Sequence, residues 1–98
     1  MTLVTGTVHT PYYDWGGRKY IEILSEDSSV LRIKIPFRYG RVMAKIVSAD
    51  ARPIQSVQKG EHVKALVEHK YWDGDPYWIL HSLTLLESGA REQDNNNK

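Results

Sequence analysis

The chain has 98 residues, of which 41% are hydrophobic and 26% are charged, and it contains no cysteine. This length predicts one domain, and the composition is that of a soluble, intracellular globule rather than a disordered or membrane chain. A formal net charge of +1 is too small to indicate a nucleic-acid or membrane partner by itself, and the lack of cysteine excludes disulfides and thiolate metal sites.

Residues 3–10 alternate between polar and apolar side chains, a pattern that predicts a β-strand. Gly6 within this strand indicates a bend or bulge. Residues 11–17 predict a loop, because Pro11 cannot donate to a ladder and the stretch contains aspartate and two glycines that favour turns. A second strand is predicted over residues 18–25.

Residues 26–29 predict a polar turn, and residues 30–37 predict a third, half-buried strand. The expected inward face of this strand carries Leu31, Ile33, Ile35 and Phe37, and its expected outward face carries Arg32 and Lys34. Residues 38–58 fit both helical and strand spacing. We expect a short helix or a turn-rich connection there.

Residues 58–60 predict a turn, after which residues 61–71 predict a fourth strand. The pair Asp73 and Gly74 is a strong signal for a two-residue hairpin turn, which leads into a fifth strand over residues 77–86. The expected inward face of the fourth strand consists of Val63, Ala65 and Val67.

Three strands, a connection and a two-stranded hairpin form the element order of the five-stranded Greek-key barrel called the OB-fold. We therefore predict an all-β OB-fold domain over residues 1–87, with at most one short helix between strands 3 and 4. An SH3-like barrel and a small antiparallel sandwich fit the same order of elements. Residues 88–98 have almost nothing apolar to bury and predict a flexible polar tail.

Most of the ten aromatic side chains lie in or beside three connections, where they gain little stability from burial. These residues are Tyr12, Tyr13 and Trp15, then Phe37 and Tyr39, and finally Tyr71, Trp72 and Tyr77. In an OB barrel the connection between strands 1 and 2 and the hairpin between strands 4 and 5 flank one binding face. The distribution favours a ligand at that face, although rings beside a glycine-rich turn also fold back as a plug over a barrel end.

Basic residues accompany these rings, and no acidic residue occurs between Asp27 and Asp50. Single-stranded nucleic acid, DNA or RNA, is recognised by rings that stack on bases and by cations that follow the phosphates. We expect Trp15 and Trp72 to be the stacking platforms. The predicted nucleic-acid-binding residues are Tyr12, Tyr13, Trp15, Arg18, Lys19, Arg32, Lys34, Tyr39, Lys70 and Trp72. The simpler interpretation of the alternating charges is a solvated strand face.

The segment SSVLRIKIPF, followed later by KGEHVKALVEHKYWDGDPYWILHSLTLLES, resembles small OB-fold single-strand-binding domains, including the compact phage type. The resemblance covers most of residues 3–87 and lies in a pattern of strands and aromatic residues rather than in a diagnostic motif. It implies a cleft across strands 2 and 3, bases stacked on loop aromatics, and often a homo-oligomer. The ending REQDNNNK lacks the acidic, apolar-tipped tail by which bacterial members recruit partners.

No set of ionisable residues has the spacing of a catalytic centre, so we expect a non-catalytic protein that needs no cofactor and no metal. His69 and His81 are expected to face each other across the last hairpin in a structural role. Asp73 and Asp75 supply too few oxygens for calcium and suit a turn better.

A second hypothesis is a protein-interaction or assembly module that uses the same aromatic loops, since Tyr, Trp and Arg are enriched at interface anchors. Self-association through an exposed strand edge is compatible with either hypothesis. A membrane partner is not expected.

Overall fold

Eight β-strands make up most of residues 1–86, the part of the chain that this computed structural model describes. They are β1 (Thr2–Trp15), β2 (Arg18–Ser25), β3 (Val30–Ile35), β4 (Phe37–Arg38), β5 (Arg41–Val42), β6 (Lys45–Val47), β7 (His62–Trp72) and β8 (Asp75–Leu85). A single 3-10 turn, Ile54–Ser56, is the only helical element within residues 1–86. The predicted tail at residues 88–98 lies outside the described residues.

The five longest strands close a barrel in the order β3-β2-β1-β7-β8. All neighbours are antiparallel except β3 and β8, whose parallel pairing joins Ile33 to Trp78 and Lys34 to Ile79 and closes the barrel. Strand β6 pairs in parallel with the other end of β8. The molecule is therefore an all-β, OB-fold-like barrel, which confirms the predicted fold class.

The barrel interior is filled by the apolar side chains that alternate along these strands. Ile21 and Ile23 of β2 and Ile33 and Ile35 of β3 are fully buried. The predicted inward face of β7 is also confirmed, because Val63, Ala65 and Val67 are fully buried.

The prediction for Phe37 was wrong, because its ring is exposed instead of buried. Strand β3 ends at Ile35, and the carbonyl of Pro36 accepts a hydrogen bond from the Met43 backbone N–H at 2.8 Å. The chain therefore leaves the barrel at Pro36, and Phe37 begins a separate hairpin.

The predicted loop over residues 11–17 was also wrong, because β1 continues as a strand to Trp15. Two register shifts against β2, one on each side of Thr10, accommodate Pro11 without ending the ladder. Only Gly16 and Gly17 form the turn, and both have positive φ. Tyr12 and Tyr13 consequently lie on a strand rather than on a loop.

The long connection between β3 and β7 is rich in turns, as predicted, and its two short ladders and one 3-10 turn include no α-helix within residues 1–86. Ile54 and Val57 from this connection are buried in the core. The guanidinium of Arg52 donates to both carboxylate oxygens of Glu61 at 2.7 Å. This bidentate pair holds the connection against the start of β7.

Gly6 lies where β1 is paired on both sides, with Ser25 of β2 and with Val63 of β7. A Cβ atom at this position would lie 2.0 Å from the backbone carbonyl oxygen of Leu24. The register of β1 is regular around Gly6, so the glycine permits a close approach of two backbones rather than a bulge.

We expect Gly6→Ala to lower the free energy of unfolding by about 3 kcal/mol, because either β1 or β2 must move to relieve the clash. Urea denaturation measures this loss. Gly17→Ala is the matched control, since it meets no atom within 4 Å and carries only the cost of its positive φ. Equal losses in the two variants would contradict the close-approach explanation.

Candidate functional site

A cleft of about 620 Å³ lies on the outside of the barrel, where the outward faces of β2 and β3 meet the β7–β8 hairpin. Its lining consists of Arg18, Tyr20, Arg32, Lys34, Trp72, Asp75, Pro76, Tyr77 and Trp78. The strand alternation that places Ile21 and Ile33 in the core puts Tyr20 and Arg32 on the other face, where Tyr20 is only 9% exposed. Four predicted binding residues, Arg18, Arg32, Lys34 and Trp72, meet in this cleft.

The basic side chains of the cleft lie against aromatic rings. The Arg32 guanidinium is 5.0 Å from the centroid of the Tyr20 ring, and Lys34 Nζ is 5.8 Å from that of Tyr77. Such cation–π contacts orient a cation without neutralising it. Within residues 1–86, Arg18, Arg32 and Lys34 form no ion pair. Their positive charges therefore remain available to an anionic ligand.

The opposite wall of the cleft is formed by the β7–β8 hairpin. Asp73 and Gly74 both have positive φ at its tip, which confirms the predicted two-residue turn. Trp72 precedes the turn and is 76% exposed. Asp75 follows the turn and is the only acidic residue of the described lining. The β2–β3 wall of the cleft is thus cationic, and the hairpin wall combines the exposed indole of Trp72 with the carboxylate of Asp75.

Trp78 joins the cleft to the barrel core. Its indole is half-buried, packs against the core and lies 4.5 Å from the His69 ring, measured between ring centroids. The expected pairing of His69 with His81 was wrong, because the two-residue turn at Asp73 and Gly74 sets a register in which His69 lies opposite Trp78. His81 contacts Glu68 Oε1 at 2.7 Å. No group of three or more potential metal ligands occurs in the described part of the chain.

Tyr13 lies next to the cleft but does not line it. Its ring is 5.6 Å from that of Tyr20, and its hydroxyl donates to Glu22 Oε2 at 2.5 Å. Partial burial, reinforced by this carboxylate, raises the pKa of Tyr13 to about 12. Tyr12 is half-buried and packs against the barrel core. This position agrees with the alternative expectation that some of these rings fold back over the barrel.

The remaining predicted residues also lie outside the cleft lining. Trp15 ends β1 and is 62% exposed. Lys19 pairs with Asp14, and this hydrogen bond lowers the pKa of the Asp14 carboxyl. Lys70 Nζ is 3.8 Å from Glu68 Oε2. Both lysines are therefore less available to phosphates than the three cations of the cleft.

Five residues of the lining were not among the binding residues predicted from the sequence: Tyr20, Asp75, Pro76, Tyr77 and Trp78. The signal for Tyr20 was present, because it alternates with buried Ile21 and opposes Lys34 across the β2–β3 ladder. Tyr77 and Trp78 are consecutive residues of a strand, and side-chain alternation predicts one ring in the core and one outside. Instead, both are half-buried and both line the cleft, at the point where β8 pairs with β7 on one side and with β3 on the other.

A scan against protein-family models, a search of curated proteins and a search of solved structures each find no match to this chain. None of the helical structure in residues 1–86 is long and apolar enough to span a bilayer. The functional interpretation therefore depends on the geometry of the cleft.

Tyr13, with its pKa of about 12, should ionise at higher pH than an ordinary tyrosine at 10.0, because partial burial disfavours the phenolate and the Glu22 carboxylate would repel it. The folded state favours neutral Tyr13, so its contribution to stability is complete below pH 10 and is lost as pH rises through 12. Absorbance titration of the phenolate band, with circular dichroism to monitor folding, measures the step. Tyr13→Phe should remove the late step and Glu22→Gln should shift it to lower pH; its persistence in Tyr13→Phe would refute the assignment.

Proposed function

We propose that this protein is a non-catalytic single-stranded nucleic-acid-binding protein whose ligand, DNA or RNA, lies in the cleft. The observation that carries the proposal is the meeting of three cations, Arg18, Arg32 and Lys34, with the exposed indole of Trp72. None of these cations has a carboxylate partner among the described residues. The cations can bind the phosphates of a strand, and the indole can stack on an unpaired base. Such a protein would serve a process that exposes single strands, such as DNA replication.

The charges of the two walls indicate how a strand would lie in the cleft. Arg32 and Lys34 project from β3, whereas Asp75 belongs to the hairpin on the other side. The Asp75 carboxylate repels phosphate and accepts hydrogen bonds from base amino groups. We therefore expect the sugar-phosphate backbone to follow β2 and β3, with the bases directed toward Trp72.

Several features favour a single strand over a duplex. A stacking ring needs an open base face, which a paired and stacked duplex does not offer. Trp72 projects from a hairpin that forms one wall of the cleft, so a ligand must fit between this hairpin and the β2–β3 face. A flexible strand can enter such a concave site and bring a base onto the indole.

A protein partner is the main rival, since Tyr, Trp and Arg also anchor protein interfaces. Interface cores are depleted of lysine and of charge generally. The cleft instead contains three basic side chains and one acidic side chain in its described lining. This excess of positive charge suits a polyanion better than an apolar protein surface, and the salt dependence of binding separates the two.

Trp72→Ala should weaken binding of oligo-dT by about tenfold, because one base loses its stacking partner. Titration of the intrinsic tryptophan fluorescence measures the affinity, and quenching by the oligonucleotide should be reduced in the same variant. Trp15→Ala is the comparison, since Trp15 is also exposed but lies outside the cleft lining, and it should change the affinity less. Absence of any quenching of the native protein at low salt would disprove the proposal.

Arg32→Gln combined with Lys34→Gln should reduce the slope of log affinity against log salt by about 1.4, which is two phosphate contacts at about 0.7 each. The matched control is Lys45→Gln with Lys64→Gln, which removes two exposed lysines from β6 and β7 outside the cleft lining. The control should keep most of the native slope. The protein-interface alternative predicts a different result. Binding to the partner would then survive the loss of Arg32 and Lys34 but would be abolished by Trp72→Ala at every salt concentration.

A further inference from the structure

The short β4–β5 hairpin carries a second concentration of positive charge and aromatic surface. We call residues 37–42, FRYGRV, the basic hairpin. Phe37 pairs with Val42, and Arg38 pairs with Arg41 across a turn made by Tyr39 and Gly40. Unlike the barrel strands, this ladder has no third strand beside it within residues 1–86. The turn residues of the hairpin and the two arginines beside them are exposed to solvent.

Tyr39 occupies an unfavourable position for its side chain. Its backbone has φ of 53°, and Gly40 has φ of 74°, so both turn residues adopt left-handed conformations. Asparagine or glycine is favoured at the first position of such a turn, and a bulky residue is disfavoured. The Tyr39 ring is also 92% exposed, so burial does not compensate for this cost. A tyrosine here contributes nothing evident to folding and suits a surface that contacts a ligand.

The two arginines of the hairpin, like Tyr39, are placed where they lower the stability of the fold. Arg38 and Arg41 lie directly opposite each other, an arrangement in which like charges repel. Neither forms an ion pair within residues 1–86. Two exposed guanidinium groups beside an exposed ring match a phosphate backbone that carries a stackable base.

The base of the hairpin lies at the edge of the cleft. Lys19 Nζ is 4.9 Å from the centroid of the Phe37 ring. Lys19 lies in β2 between Arg18 and Tyr20, which both line the cleft, and its own side chain is on the other face of the strand. Asp14 holds Lys19 in place through an ion pair. The base of the hairpin therefore contacts the same end of β2 that supplies Arg18 to the cleft.

We infer that the basic hairpin is a second contact for the same nucleic-acid strand, which continues from the cleft past Arg18 onto Tyr39, Arg38 and Arg41. The inference rests on the proposed function of the cleft. It assigns base stacking to Tyr39 and phosphate contacts to the two arginines. The strand bound by one protein molecule is then longer than the cleft alone would hold.

A series of oligo-dT lengths from about 4 to about 16 nucleotides, the range of site sizes for one OB fold, tests the inference. Native protein should gain affinity with length until the strand reaches the hairpin. The variant Arg38→Ser, Tyr39→Asn, Arg41→Ser should bind the shortest oligonucleotides as the native protein does, but it should lose at least tenfold on the longest. Lys45→Gln with Lys64→Gln is the control and should keep most of the gain with length.

The single variant Tyr39→Asn separates binding from folding. Asparagine tolerates the left-handed conformation better than tyrosine, so the melting temperature should stay equal or rise while affinity for long oligonucleotides falls. If affinity rises with oligonucleotide length by the same factor in the native protein and in the hairpin variants, the inference is overturned and the cleft proposal stays intact. Equal losses on short and long oligonucleotides would also overturn it, because the hairpin would then belong to the cleft. Native protein that binds no length would refute the proposed function itself.

Discussion

The parallel pairing of β3 with β8 is the contact on which the candidate site depends. It joins only two residue pairs, Ile33 with Trp78 and Lys34 with Ile79, yet it converts an open sheet into a barrel. The same contact brings the outward face of β3 to the wall formed by the β7–β8 hairpin. Without it, the open sheet could still have one apolar face, but the cations of β3 and the indole of Trp72 would lie toward opposite edges of that sheet.

The cleft also shows how a small barrel can keep charged side chains ordered without neutralising them. Arg52 and Lys19, which hold parts of the fold together, are paired with carboxylates. Arg32 and Lys34 instead lie against the rings of Tyr20 and Tyr77. Packing of a cation on a ring restricts its motion while its charge stays exposed to the cleft. Arg52 is thus neutralised where it holds the connection to β7, whereas Arg32 and Lys34 keep the charge that the proposed function requires.

The sequence predicted the barrel and the faces of its strands because both follow from the alternation of apolar residues, as in β3 and β7. It also predicted the hairpin turn at Asp73, where local turn chemistry decides the structure. It failed where tertiary pairing overrides local signals. Pro11 looked like the start of a loop, yet bulges keep β1 paired with β2 to Trp15. The contribution of Trp78 to the cleft likewise depends on the β3–β8 contact, which no local pattern encodes.

The position of β8 in the chain order has a consequence for how the protein is made. During synthesis, β1, β2 and β3 leave the ribosome first and can pair with one another as a meander of neighbouring strands. Strand β8 contacts β3, β6 and β7, and it is the last strand of the described residues to emerge. A nascent chain that has not yet added β8 therefore lacks one wall of the cleft, so the proposed binding surface would form only once β8 has been synthesised.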